Sequence, residues 1–491
     1  MVGSDATGVA SKDPVIAQAQ DSSSGMIGNA SYTFDSNTGA LTVSNGSLSK
    51  SQWDSVVNTI NKSSIKSVTF TNATVIGDTQ DMFSNFSNLT TVDASGLDVS
   101  TVGNMGLMFN GCSSLTSVNL SGWNTSGVTN MNYMFNNCPL LAQLDLSEWN
   151  TSNVTNISIM FKDCTSLTCL DLSKWNTGKF TNMSSMFSGC SGLTTLDLSG
   201  WDTGQVTSMG LMFSDCSSLT SLNLSGWNTS SVTYMNTMFM NCTNLNSLDL
   251  SGWDTSNVTT MSSMFSNCSN LRTIAVCSWN TDNVSSCSNI FENCTNLKGG
   301  KGTAFDTSHI NDKTYARVDG GTSAPGYFTG KPVFTGRSLV LSGEIGVIFT
   351  LEVPNNFAAA DASVELKVGN KPIEPLDFSK LEQIEGTNKY RVTCHVSSLE
   401  MAEDVVATLK DWSGESTLGS VTAHTSVESY ADYVYSHNVG GDKGVGLAQA
   451  INDYGYHTQL WLAQEHGFTL GDGEGDAYAK MKGASLPTGS R

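Results

Sequence analysis

The sequence predicts an α/β repeat solenoid, with a short strand plus a short helix in each 26-residue coil. A β-sandwich-like module with two C-terminal helices is expected to follow. Three observations carry this. Tryptophan falls at 123, 149, 175, 201, 227, 253 and 279, in steps of 26 without insertion. Phenylalanine falls at 83, 109, 135, 161, 187, 213, 239, 265 and 291 with the same step. So strict a period means that each unit is one coil of a stacked array. From Lys331 the period is lost, and apolar runs such as "RSLVLSGEIGVIFTLEVP" and "KYRVTCHVSS" take over, as in half-buried strands joined by turns.

Within a coil, Leu144, Asp145, Leu146 and Ser147 alternate apolar and polar, which predicts a short strand. In "VTNMNYMFNNC", Val128, Met131, Met134, Phe135 and Cys138 are spaced by 3, 3, 1 and 3. That spacing predicts one buried face of a short helix capped by Thr129 or Ser126. A helix of about ten residues is marginal alone, so burial by neighbouring coils must hold it. Methionine suits the irregular gaps between coils.

Stacked coils repeat at roughly 4.8 Å, so equivalent residues form columns. Thr125, Thr151, Thr177, Thr203, Thr229, Thr255 and Thr281 make one, with hydroxyls able to bond along it. The Trp and Phe columns can stack. Eight of the twelve cysteines are in register: Cys112, Cys138, Cys164, Cys190, Cys216, Cys242, Cys268 and Cys294. There is no CxxC pair of the kind that holds zinc. Parallel side chains one rung apart fit disulfide geometry poorly, so these are expected to be buried free thiols. Cys169, Cys277, Cys287 and Cys394 fall outside the series. Cys277 is expected to face outward from its strand, and Cys287 takes the place of a column Met.

The repeat C-x-x-L-x-x-L-D-L-S-x-W-[ND]-T-x-x-V-T-x-M-x-x-M-F, over roughly residues 80–298, resembles the leucine-rich repeat of BspA-type bacterial surface proteins. Tryptophan stands where the general leucine-rich pattern has Asn or Cys. The inter-coil ladder made by that Asn is therefore expected from Asn124, Asn150 and their equivalents. The resemblance implies a location at the surface of a Gram-positive-type bacterium or outside it, adhesive roles and no catalytic residues.

Along the chain, residues 1–27 are Ser/Ala/Asp-rich and expected to be disordered. Residues 28–82 form an N-terminal cap. It holds a β-hairpin around Ser36 to Gly39, a helix over 49–63 and a degenerate first repeat. The array proper spans 83–297, and 298–330 close it and link onward. A β-sandwich-like domain is expected over 331–425, a helical hairpin over 426–470 and a flexible tail over 471–491. The N-terminus lacks the basic-then-apolar pattern of a secretory signal. "LPTG" at 486–489 is one residue short of an LPxTG sorting signal. An exported protein would thus carry both addresses outside this sequence.

The formal net charge of −20 argues against nucleic acid, which needs basic clusters, and against an anionic membrane surface. No apolar run is long enough to span a bilayer. All six histidines lie outside the repeats. Cys394 and His395 are strand neighbours pointing to opposite faces. Asp453 and His457, one turn apart, read as a helix-surface pair. "GGDKGVG" at 440–446 lacks the Lys-Ser/Thr ending of a phosphate loop. "DGEGDAY" at 472–478 lacks the Gly and Glu that a calcium loop needs, since Ala477 and Gly483 stand there. No nucleophile–base pair stands out, so no enzyme, metal or cofactor is expected.

One surface merits a functional reading. Asn119, Asp145, Asp171, Asp197, Asn223 and Asp249 occupy the outward strand position. Asp145, Asp171, Asp197 and Asp249 are the candidate ligand-binding residues, and like charges one rung apart suit a basic partner. Two other roles for the same residues are bracing turns and meeting a cation. The expected function is adhesin-like binding of a host protein or glycan through the array. The alternative is a structural spacer that holds another module away from the cell wall, which the near identity of the repeats favours.

Overall fold

The computed structural model describes residues 22–431 apart from 341–344, 356, 358–361, 397–399, 402, 411, 413–420, 428 and 430. Nearly all of the expected C-terminal helical hairpin, the tail and the first 21 residues lie outside the described set. The chain divides into two compact units. One comprises 1–222, 234–244 and 264–266, and the other 223–233, 245–263 and 267–491.

The first unit opens on a meander of strands Ser22–Ile27, Ala30–Asp35 and Ala40–Ser49. Ser22–Ile27 lies in the segment read as disordered. Its backbone is paired antiparallel from Ser22 opposite Asp35 to Ile27 opposite Ala30, which a composition argument cannot foresee. In the following hairpin, Asp35 Oδ1 accepts the Asn37 amide at 2.9 Å. Gly39 has φ +75° there, and a Cβ would lie 2.6 Å from the Ser64 carbonyl oxygen, so only glycine fits.

Ser49 and Gln52 form a capping box that starts the helix Lys50–Ile60, which buries Trp53 and Val57. The chain returns as Ser67–Ile76, parallel to Ala40–Ser49. The Trp53 Nε1–H donates to the Met82 carbonyl at 2.6 Å, and its ring meets Phe83 edge-on at 5.2 Å. This helix covers the apolar start of the array.

The coils depart from expectation in two respects. Leu144–Ser147 form no strand, although the equivalent Ser117–Asn119, Thr195–Asp197, Ser221–Asn223 and Ser247–Asp249 do. And, among the described residues, no helix occurs in any coil from 83 to 297. The coil around Met131 shows why. Met131, Tyr133, Phe135 and Asn137 send their amides to the carbonyls of Asn156, Ser158, Met160 and Lys162, one coil on, at 2.7–3.0 Å. Met134 and Asn136 donate within the coil, to Met131 and Tyr133. An amide committed to the next coil cannot make an i→i−4 bond. Tyr133 (φ 58°) and Asn137 (φ 57°) are also left-handed, which no α-helix tolerates. The segment is a chain of tight turns. It buries the expected set all the same: Val128, Met131, Met134, Phe135 and Cys138 are fully buried.

The later left-handed position holds Asn85, Gly111, Asn137, Asp163, Gly189, Asp215 and Asn241 in this unit, and Asn267 and Asn293 in the other. These are the residue types that accept that conformation. The earlier one also takes Ile159 and Thr237, where a branched Cβ is strained. The Ile159 amide is pinned to the Ser184 carbonyl at 2.9 Å.

The columns form, with two corrections. The Phe rings from Phe83 to Phe265 stack with centroids 5.1–6.0 Å apart and planes within 14°. The buried hydroxyls of Thr125 and Thr151 do not bond along their column. They donate to the Asn150 and Asn176 carbonyls at 3.0 and 2.8 Å, and Thr125 Oγ1 takes the Asn150 amide at 2.9 Å. Nor do Asn124 and Asn150 make the inter-coil ladder. Each accepts the amide two residues on, which closes a local turn. The ladder runs elsewhere: Asn130 Nδ2 donates to Asn104 Oδ1 at 3.1 Å, and Asn136 Nδ2 to Asn110 Oδ1 at 2.7 Å.

All twelve cysteines are free. Those from Cys112 to Cys242 donate S–H to the carbonyl of the Phe 29 residues earlier, at 3.0–3.2 Å. Burial pushes the Cys112, Cys164 and Cys216 thiols up to about 12, so they hold negligible thiolate at neutral pH. Native labelling with a maleimide is therefore expected to modify exposed Cys169 and spare the column until denaturant is added. Column labelling at the rate of Cys169 without denaturant would contradict this packing.

In the second unit, Ser247–Asp249 pairs in parallel with Thr273–Val276, which pairs in turn with Thr329–Gly330 of the closing segment. Cys277 is buried, not outward-facing. Ala275, Val276 and Cys277 are buried in succession, because this strand is covered on both faces, and the Cys277 S–H points to the Glu352 carbonyl at 3.4 Å. The closing segment is pinned by buried Asp319. Its carboxylate accepts the amides of Lys301, Thr303 and Gly321 and the Thr303 hydroxyl at 2.7–3.0 Å. Burial alone would raise its pKa, but these donors outweigh burial and keep it below the ordinary carboxylate value.

Beyond it, Val333–Val340, Gly346–Glu352, Lys389–His395 and Glu382–Gln383 form one four-stranded antiparallel sheet. Lys371–Asp377, Ser363–Val368, Val405–Lys410 and Val421–Thr425 form another. Phe349, Leu351, Val364, Leu366, Val392 and Leu409 share one core. Cys394 lies in that core and His395 is exposed.

Candidate functional site

The outward strand positions are braced from below. Asp145, Asp171 and Asp197 each accept, through Oδ1, the amide of the serine two residues on, at 2.9–3.0 Å. All three are exposed. The Ser147 amide, then its hydroxyl, holds the Asp145 carboxyl below its ordinary value, and the Ser173 hydroxyl and amide do the same for Asp171. The neighbouring charge of Lys174 contributes to both, while its ammonium reaches Glu148 at 3.2 Å. The Asp145 and Asp171 carboxylates thus stay ionised, and all three point from a fixed turn.

The four candidate residues do not form one group. Asp249 belongs to the second unit, where Lys331 Nζ, itself largely buried, pairs with its Oδ2 at 2.5 Å. The Lys331 amide donates to the Val276 carbonyl at 2.8 Å, so the closing segment fixes this pair. Asp145, Asp171 and Asp197 remain as the exposed candidates in the first unit. Among the described residues, no helix is long and apolar enough to cross a membrane.

A second feature escaped the sequence reading. In the second unit a cavity of about 770 Å³ is lined by Trp279 together with Asp254, Ser256, Asn280, Thr281, Asp282 and Arg317. The Trp residues of the column from 123 to 253 are 2–5% exposed, whereas Trp279 is only half-buried. A signal was available: the series ends at 279, so that ring has no following Trp.

Coils of this kind define a β-solenoid repeat protein of about nine turns. The chain belongs to the family described as "Mycoplasma protein of unknown function, DUF285", whose model matches 52–168, 77–194, 138–222 and 220–317, together more than half of the chain. No curated protein matches it. Among solved structures, "Crystal structure of TLR13-ssRNA13 complex" is similar at 14% identity and a TM-score of 0.24, over 51% of this chain and 37% of that one. The chain thus spans well under half the length of that protein.

Proposed function

We propose that this chain is a BspA-like, adhesin-type protein of a bacterial cell surface that binds a host protein or glycan through its repeat array. It acts by binding, not by catalysis. The observation that supports this most is the set of exposed carboxylates on Asp145, Asp171 and Asp197, each held by a serine amide. A braced acidic surface presents charge without the entropy cost of ordering it on contact, and a basic partner gains on-rate from it.

The test is adhesion of the purified chain to immobilised host matrix proteins and to epithelial cells, at low and high salt. Changing Asp145, Asp171 and Asp197 together to Asn keeps the serine amide bonds and removes the charge. Binding at low salt is expected to fall by about fivefold or more, and the salt dependence to flatten. Unchanged binding at both salts would put the contact surface elsewhere. The bracing bonds also support a second reading, a structural spacer. That reading expects no adhesion from the unmodified chain.

A further inference from the structure

We propose that the cavity beside Trp279 is an oligosaccharide-binding site. It is separate from the acidic positions of the first unit and independent of any role they have.

The cavity lies between the last regular coil and the closing segment, which stacks on that coil without continuing its Trp and Thr columns. In the same unit Trp227 and Trp253 stack with centroids 6.1 Å apart and planes 2° from parallel. Trp279 has no such ring ahead of it. It meets Phe328 edge-on at 5.1 Å and 72°, and part of its ring lines the cavity. The polar side is equally incomplete. Thr229 and Thr255 give their hydroxyls to the carbonyls of Asp254 and Asn280 one coil on, at 2.8 Å each. Thr281 is the next member of that column, half-buried, and its hydroxyl has no partner among the described residues. Its carbonyl is taken by Lys313 Nζ at 3.0 Å.

One more regular coil would supply two things here: a flat apolar surface against an indole, and hydroxyl and carbonyl groups against Thr281. A pyranose offers both, with a C–H face to stack on an aromatic ring and a rim of hydroxyls. The cavity wall matches that rim. Arg317 Nε donates to the Pro325 carbonyl at 3.0 Å, which holds the planar guanidinium at the edge and leaves its terminal nitrogens as donors. Asn280 Oδ1 takes the Asp282 amide, leaving its Nδ2 to donate, and Asp254 Oδ1 takes the Ser256 amide, leaving Oδ2 to accept. Planar side chains of both hydrogen-bonding senses around one half-buried aromatic ring suit neighbouring sugar hydroxyls. Asp254 and Asp282 disfavour a phosphorylated ligand by charge. The volume, about 770 Å³, falls within the usual range of ligand clefts and admits more than one sugar ring.

Saturation-transfer difference NMR on the full chain, with chitotriose, maltotriose, cellotriose and lactose as probes, tests this. At least one is expected to bind with a Kd near the millimolar range and to show its strongest transfer at ring C–H protons. Trp279→Ala should weaken that sugar about tenfold or more, and Trp279→Phe less. Because Trp279 also packs on Phe328, Arg317→Ala and Asp282→Ala at the exposed rim serve as variants that keep the fold, and each should weaken binding severalfold. The Asp145, Asp171 and Asp197 triple Asn variant should bind the sugar as the unmodified chain does, whatever becomes of its adhesion. No transfer to any probe at about 10 mM, or binding that survives both rim variants unchanged, overturns the site.

Discussion

Phe161→Ala is expected to destabilise the array by about 3–5 kcal/mol, a large part of the stability of any domain. Phe161 is fully buried and stacked between Phe135 at 6.0 Å and Phe187 at 5.7 Å, so its loss leaves a cavity and removes two ring contacts at once. The backbone bonds survive the change: its amide still reaches the Met186 carbonyl, and its carbonyl still takes the Cys190 thiol. The effect therefore isolates the ring. Denaturant unfolding should show a lower midpoint, and hydrogen exchange should place the loosening in the coils on either side, since coils couple to nearest neighbours. A midpoint shift corresponding to less than about 1 kcal/mol would mean that the Phe column does not carry the packing assigned to it.

Deleting residues 22–82 is expected to turn a soluble chain into an aggregating one. That segment holds Trp53 and Phe70, whose rings lie 5.2 and 6.2 Å from Phe83, and Phe83 is fully buried in the intact chain. It also holds Ser67–Ile76, the partner of strand Thr91–Asp93. Removal bares an apolar coil end and an unpaired strand edge together, and both invite self-association. Light scattering after size exclusion measures the outcome. A monodisperse monomer from the truncated chain would show that the array does not depend on this cap. Trp53→Phe is a milder companion: it keeps the aromatic packing and loses the bond to the Met82 carbonyl, so solubility should hold while stability drops by about 1 kcal/mol.

The period was legible because nothing interrupts it, and with it came the buried Trp, Phe, Met and Cys columns. The local backbone was not. Steps of 3, 3, 1 and 3 from Val128 to Cys138 fit a helix face, and they fit chained three-residue turns equally well. Side-chain periodicity reports burial; it does not report where the amides go. The deciding clue lay one residue before each column cysteine, at Asn137, Asp163, Gly189 and Asp215, always a type that accepts positive φ.

Cys277 was misplaced because alternation was extended to a strand covered on both faces. The candidate Asp residues were found by position, but sequence could not foretell that Lys331, 82 residues further on, would claim Asp249. Nor does a repeat say what happens where it stops. Trp279 follows the same motif as its predecessors, and only the lack of a following Trp, with Phe328 of the closing segment meeting its edge instead, sets it apart.

The bonds between coils have a bearing on how such a chain can change. Most of their backbone members join residues 25 or 26 apart, as from Tyr133 to Ser158 and from Thr155 to Thr129, and the left-handed positions recur with a step of 26. Inserting or removing one whole unit of 26 residues recreates all of them, while any other length sets every downstream column out of phase. Stretches of gene that encode near-identical units misalign during copying and recombination, and the errors fall in multiples of the unit. Lineages of this protein should therefore differ in coil number far more readily than in coil design. Each event would change the stack by one increment of roughly 4.8 Å, giving an inheritable dial for reach that leaves both ends and the chemistry of every rung as they were.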